Sequence, residues 1–269
     1  MALAYNLGPR LQKVADFVPQ KVKLGDIGTD HAYLPIILYE THQIERAVAV
    51  DVHEGPYQSA VTAVKARRLS EVIDVRLGDG LMPLKPGEVD ILTLAGMGGR
   101  TMLEILSVRP DVLAFVRNLI LQPQGAEGTV RLTLLESGWY LKAEALVEEE
   151  GRYYTVMALS KEEGWNLTEL NEKVCSWEER LRPFLEKEEA VSANFTNLIP
   201  KLVWQFGPLV LEERSELLGN YLREYANILI KRMEQMKKSS SLEIGVKLQE
   251  VGDELAIVEG FRTWQRQLV

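Results

Sequence analysis

The spacing of apolar positions changes several times along the chain, and each change marks an element. Leu7, Leu11, Val14, Phe17 and Val18 recur at helical spacing, and Pro19 closes that pattern. Short apolar runs then alternate with amphipathic stretches. The runs at 22–27, 46–52, 73–77, 89–95 and 118–122 read as strands, and 33–42, 56–69, 100–108 and 126–137 read as helices. Largely apolar strands separated by amphipathic helices predict a parallel sheet covered on both faces.

The alternation ends at 140–149 and 152–160, two strand patterns that meet at Glu150-Gly151-Arg152. That gap is too short for a crossover helix, so the two strands run antiparallel. An α/β chain of βα units closed by such a hairpin has the layout of the seven-stranded, Rossmann-like class I methyltransferase sheet. It fills residues 1–160, and residues 161–269 form a second region.

In that second region Leu170, Val174, Trp177 and Leu181 share one helical face that stops near Pro183. The stretch 192–208 reads as irregular, punctuated by Asn194, Asn197, Pro200, Gly207 and Pro208. Leu218, Leu222, Tyr225, Leu229, Met233 and Met236 form one stripe, and Ile244, Leu248, Val251, Leu255 and Val258 form another. The polar break Lys237-Lys238-Ser239-Ser240-Ser241 lies between them, so the expectation is a C-terminal antiparallel helical hairpin of coiled-coil type.

Composition narrows the setting. Hydrophobic residues are 46% and charged residues 26% of the 269, with no apolar run of membrane-spanning length. The first residues lack the pattern of a signal peptide, and the single cysteine, Cys175, excludes internal disulfides and thiolate metal clusters. A cytoplasmic protein with no metal and no membrane partner is expected. The net charge of -8 argues against a generally basic nucleic-acid-binding surface, though a local patch acts within a Debye length of about 8–10 Å.

The chemistry gathers at the predicted strand ends. After the first strand comes Gly25-Asp26-Ile27-Gly28, without the G-x-G-x-x-G spacing that seats a pyrophosphate on a helix N-terminus. A carboxylate beside this turn repels a pyrophosphate and suits a cationic ligand, the amino group and sulfonium of S-adenosylmethionine. An ordinary strand-to-helix turn also explains the two residues. Asp51, followed by Val52, ends the second strand where an acidic side chain accepts from a ribose. Asp79 and Gly80 follow the third, where methyltransferases of this architecture place a side chain on the adenine amino group, though Asp-Gly is also an everyday turn. Ala95-Gly96-Met97-Gly98-Gly99 closes the fourth, where bare backbone leaves room for a planar substrate.

Together, Asp26-Ile27-Gly28-Thr29-Asp30-His31-Ala32-Tyr33-Leu34-Pro35, Gly55-Pro56-Tyr57-Gln58-Ser59-Ala60, Ala95-Gly96-Met97-Gly98-Gly99 and Leu119-Ile120-Leu121-Gln122-Pro123 resemble the bacterial tRNA (adenine(22)-N(1))-methyltransferase family. The resemblance covers roughly residues 7–160. Beyond them it is one of architecture alone. It implies methyl transfer from S-adenosylmethionine to an adenosine in the tRNA D-loop. Asn usually follows the Gln-Pro pair in that family, whereas here Gln124 does. The 161–205 stretch also exceeds the usual length.

On this reading Asp26, Gly28, Asp51, Val52, Asp79, Gly80, Ala95, Gly96 and Met97 hold the cofactor. The adenine N1 lone pair attacks a methyl group directly, so alignment contributes more than a strong base does. The base must first leave the tRNA fold. Tyr33 is the candidate for stacking, Asp30 or His31 for taking a proton, and Gln122 and Gln124 for bonding the base edge, with Gly98 and Gly99 beside them. Arg131 and Tyr153 are further candidates with core or surface alternatives. Lys65, Arg67, Arg68 and Arg76 form one candidate phosphate-binding cluster, and Lys231, Arg232, Lys237 and Lys238 form another. Solvated helix faces explain either cluster equally. A small-molecule methyltransferase, or a non-catalytic RNA-binding or scaffold protein, is the alternative function.

Overall fold

The computed structural model describes residues 6–185, 195–238 and 244–267, in two compact units, Met1–Asn166 and Leu167–Val269. The first unit runs α1 (Pro9–Phe17), β1 (Val22–Ile27), α2 (Tyr33–Glu40), β2 (Ile44–Asp51), α3 (Glu54–Ala66), β3 (Ile73–Leu77), β4 (Ile91–Met97), α4 (Gly99–Val108), α5 (Pro110–Leu113), β5 (Asn118–Pro123), α6 (Glu127–Glu136), β6 (Tyr140–Glu149) and β7 (Arg152–Ser160). Its sheet has seven strands in the order β3-β2-β1-β4-β5-β7-β6. Pairings among the first five strands are parallel, and β7 runs antiparallel to both β5 and β6. This is the Rossmann-like methyltransferase sheet expected from the alternation of elements.

The central strands are buried on both faces, which is why their sequences are nearly continuous in apolar residues. Leu24, Ile91, Leu92, Leu94, Leu119 and Leu121 are all fully buried. The chain order reverses between β1 and β4, and a crevice opens at the carboxyl end of such a switch point. Three strands depart slightly from expectation, β5 only by reaching Pro123. β2 starts at Ile44, and β4 continues past Ala95 to Met97 through a register shift against β5. The short helix α5 was not anticipated, because four residues carry no readable period.

The second unit contains α7 (Leu167–Leu185), α8 (Phe195–Phe206), α9 (Pro208–Glu212), α10 (Glu216–Met236) and α11 (Ile244–Arg266). The expectation of irregular chain over 192–208 is corrected from residue 195 onward, and 192–194 lie outside the described residues. Ile199, Leu202, Val203 and Phe206 are buried along one face of α8. That burial outweighs the hydrogen bond lost at Pro200 inside the helix.

Helices α10 and α11 are antiparallel, since Gln265 near the end of α11 donates to the Ser215 carbonyl before α10, and Tyr225 donates to Glu254 further along. Ser215 caps α10, its Oγ accepting from the Leu218 N–H at 3.1 Å. The second stripe is only partly as expected. Val251 and Val258 are buried, but Ile244, Leu248 and Leu255 are half-buried, while Ile257, Phe261 and Trp264 join the core. The reason is that α11 packs on α7 and α8 as well as on α10. Trp177 of α7 is fully buried, edge-on to Phe261 and Trp264 with ring centroids 5.2 and 4.5 Å away.

Truncating Trp177 leaves a large cavity at that cluster. Trp177→Ala should destabilise the helical unit by about 3–5 kcal/mol. Urea unfolding followed by helical circular dichroism checks this.

Candidate active site

Two adjoining clefts open at the carboxyl ends of β1, β2, β3 and β4. The larger, about 540 Å³, is lined by Gly28, Asp51, Val52, Asp79, Gly80, Ala95, Gly96 and Met97 among others. The smaller, about 310 Å³, is lined by Arg10, Asp26, Asp30, His31, Tyr33 and Gln124, together with the same Gly28, Ala95 and Gly96. Those three shared residues form the junction between the clefts.

Backbone geometry explains the junction. Gly28 has φ +75°, and a Cβ there would lie 2.8 Å from Met97 Cε, so this turn requires glycine. Gly96 has φ +78° and projects no side chain into the opening. The other glycines serve packing. Gly25 lies inside β1 against Leu92, where a Cβ would be 2.6 Å from Leu92 Cδ2. Gly98 precedes α4 as its N-cap. Gly99 is buried, with a Cβ position 2.6 Å from the Gly125 carbonyl oxygen and 2.7 Å from Val130 Cγ2. Neither Gly98 nor Gly99 lines a cleft; Gly98 is exposed beside them, whereas Gly99, expected to bind substrate, is buried against the chain entering α6. The small size of Gly99 lets α4 approach the chain entering α6.

The carboxylates divide between the clefts. Asp51 is 7% exposed, and its two oxygens accept from the backbone N–H groups of Asp30 (3.1 Å) and His53 (3.0 Å). This fixes its side chain at the edge of the larger cleft. Asp79 is exposed there, on the turn before Gly80. Asp26, expected to contact the cofactor, is buried and borders the smaller cleft. The hydroxyls of Thr29 and Thr93 donate to its two oxygens at 2.6 Å each. Burial pushes the Asp26 carboxyl above the usual carboxylate range; the two threonine bonds oppose that shift, and the charge of Asp51 adds to it.

The loop 29–32 holds the predicted catalytic group. Asp30 and Ala32 have φ of +54° and +55°, costly values for residues with a Cβ. Ala32 is the N-cap of α2, and no side chain caps that helix, so neither Asp30 nor His31 is spent on capping. His31 Nδ1 lies 2.9 Å from Asp30 Oδ1, and its ring stacks on Tyr33 with centroids 5.1 Å apart. All three side chains reach the rim of the smaller cleft.

Gln122 is corrected. It is fully buried beneath the junction and lines neither cleft. Its Oε1 accepts from the Gly96 N–H (3.0 Å) and from an Arg10 guanidinium nitrogen (2.7 Å), and its Nε2 donates to the Pro123 carbonyl (2.9 Å). Arg10 escaped notice in the sequence because α1 reads as an amphipathic helix packed on a sheet. Its Nε donates to Glu149 Oε2 (3.1 Å), and its guanidinium lies 5.6 Å from the Tyr154 ring centroid. No signal in the sequence pairs residue 10 with residues 122 and 149.

The remaining candidates separate cleanly. Arg131 is fully buried in an ion pair with Glu144, a core role, and Tyr153 is half-buried on β7. Arg67 pairs with Glu40, and Arg76 pairs with Asp74 and Glu88, so half of the first basic cluster is already neutralised. Lys237 and Lys238, at the end of α10, are exposed, and Ser239 through Ser241 lie outside the described residues. Among the described residues no helix is long and apolar enough to cross a membrane, and no group of three His, Cys, Asp or Glu could hold a metal ion.

This sheet order, with acidic rather than pyrophosphate-seating turns at the switch point, defines a Rossmann-like methyltransferase domain. A family model described as "Methyltransferase domain" matches residues 7–157. The chain belongs to that family. It is 40% identical over 152 residues to the tRNA (adenine(22)-N(1))-methyltransferase of Bacillus subtilis, an alignment spanning 56% of this chain and 64% of that enzyme. A putative tRNA (m1A22) methyltransferase from Streptococcus pneumoniae, solved in complex with S-adenosyl-L-methionine, is 32% identical with a TM-score of 0.74, covering 96% of this chain and 100% of that one. The B. subtilis m1A22 tRNA methyltransferase structure gives 27% identity and a TM-score of 0.75, over 96% of this chain and 100% of that one.

Two stability outcomes follow from this geometry. Gly99→Ala drives a Cβ onto the Gly125 carbonyl and should cost about 1–3 kcal/mol, read by thermal unfolding. For Asp26, a raised folded pKa means that its stabilising contribution is complete below the unfolded value near 3.8 and is lost as pH rises through the folded value. Asp26→Asn should therefore gain on the wild type as pH rises above about 4. Urea unfolding at several pH values checks this, and a constant difference between the two proteins would contradict it.

Proposed function

We propose that this protein is an S-adenosylmethionine-dependent tRNA methyltransferase that acts in the cytoplasm on N1 of adenosine 22 in the D-loop. The observation that carries the reading is the pair of clefts meeting at Gly28, Ala95 and Gly96, one sized for a nucleoside cofactor and the other for an extruded base. The chemistry of the lining fits. Asp26, Asp30, Asp51, Asp79 and Glu104 border the clefts, and Arg10 is the one lysine or arginine among the lining residues. S-adenosylmethionine supplies a methyl group on a positively charged sulfonium, and methylation at N1 places that positive charge on the adenine. An acidic lining suits both ends of this transfer.

The residues then take distinct parts. Asp51, held by two backbone N–H groups, offers its remaining lone pairs to a ribose, and Val52 and Asp79 flank the adenine of the cofactor. Tyr33, with His31 stacked behind it, offers a face to the substrate base. Gln124 reaches its edge. Asp30 and His31 take or relay a proton from the exocyclic amine. Histidine is suited to that near neutral pH. Lys237 and Lys238 bind tRNA phosphates, a sequence-independent contact that weakens with salt.

The test is incubation with labelled S-adenosylmethionine and unmodified tRNA. Label should enter wild-type tRNA and not a tRNA altered only at adenosine 22. Cofactor binding without tRNA labelling would overturn the substrate assignment. Asp51→Ala should weaken cofactor binding by about tenfold or more, measured by calorimetry. Lys237→Ala with Lys238→Ala should leave that binding intact and raise the KM for tRNA, with a shallower salt dependence.

A further inference from the structure

Among the groups around the clefts, one part-buried chain of contacts has no part in the scheme above. Glu149, at the end of β6, holds the Arg10 guanidinium, with Oε2 accepting from Nε at 3.1 Å and Oε1 accepting from the Arg10 backbone N–H at 3.3 Å. A second edge of that guanidinium donates to Gln122 Oε1 at 2.7 Å, and the same oxygen accepts the Gly96 N–H at 3.0 Å. The amide cannot turn over, because Nε2 is bound to the Pro123 carbonyl at 2.9 Å and Oε1 receives two donors. The Gly96 peptide is thus fixed from below. A trans peptide sets its carbonyl opposite its N–H, so the Ala95 oxygen is held pointing away from Gln122. Gly96 needs this support, since at φ +78° glycine gains no restraint from a side chain.

We propose that Arg10, acting through Gln122, is a positioning residue for methyl transfer: it locks the Gly96 peptide at the junction where the two clefts meet. This rests on the functional reading above. Helix α1 thereby belongs to the active site, although it precedes the nucleotide-binding motifs. Two features suit Arg10 to this part and exclude lysine. The planar fork bonds Glu149 and Gln122 at once, and its carbon lies over the Tyr154 ring, 5.6 Å from the centroid. Its side chain is 20% exposed, so it sits in the wall of the cleft and not loose in solvent.

The experiment combines kinetics with amide hydrogen exchange on the full chain. Arg10→Ala and Gln122→Leu should each lower kcat by about 10- to 100-fold, with the KM for tRNA and for cofactor changing little, as misplacement of reacting groups predicts. The double variant should be no worse than the poorer single one, because both break one relay. Gln122→Glu keeps the doubly accepting oxygen but loses the donor to the Pro123 carbonyl, so it should recover only part of the activity lost in Gln122→Leu, whereas Arg10→Lys should not rescue Arg10→Ala. Gly96 should exchange faster in Arg10→Ala at an unchanged melting temperature. Multiplicative losses in the double variant, or unaltered exchange at Gly96, would overturn the relay. Failure of the wild type to methylate tRNA would instead overturn the substrate reading, while exchange at Gly96 still decides the relay.

Discussion

The site depends on one pairing, the parallel register of Val22–Ile27 with Ile91–Met97. These strands are neighbours in space and remote in sequence, and the chain reverses its winding between them. Their register sets Asp26 beside Thr93, so that Thr93 Oγ1 bonds the buried carboxylate at 2.6 Å. It also brings the turn after β1 against the end of β4, Gly28 beside Met97. A slip by one residue would turn every side chain of a strand to the other face of the sheet. The uninterrupted burial of Leu24, Ile91, Leu92 and Leu94 holds that register in place.

Polar groups at the switch point are satisfied in a layered way. Asp26 is bonded by two threonine hydroxyls, Asp51 by two backbone N–H groups, and Gln122 by Arg10, Gly96 and Pro123. Each buried polar atom with a fixed partner costs little, and each stays where the fold puts it. The loop above this layer is strained, with Asp30 and Ala32 in left-handed backbone conformations. A rigid polar floor beneath a strained, exposed rim is the arrangement expected of a site that grips one ligand and receives another.

Much of the fold was legible in the chain. The strands at 22–27 and 73–77 and the closing pair at 140–149 and 152–160 appear at the expected residues, because apolar runs and turn signals there report burial directly. Helix α8 was not legible, since Pro200 and the flanking asparagines hid a buried face that only packing reveals. The site was read unevenly for similar reasons. Gly28, Asp51, Asp79 and Gly96, singled out by motif spacing, border the larger cleft. Gly99 and Gln122 matched the right segments but turn into the core. A glycine that admits a ligand and one that admits a helix look alike in sequence.

By itself the sequence determined the order of elements, the acidic character of the strand-end turns and the family to which they belong. These follow from local periodicity and from residues adjacent in the chain. The tertiary structure alone decided which side of each turn faces a cleft, that the site is two clefts sharing a glycine-lined junction, and that Arg10 reaches Gln122 across 112 positions. Such contacts depend on sheet register and on how a helix lies across strands. They are set by the packing of the whole domain, and no stretch of chain encodes them alone.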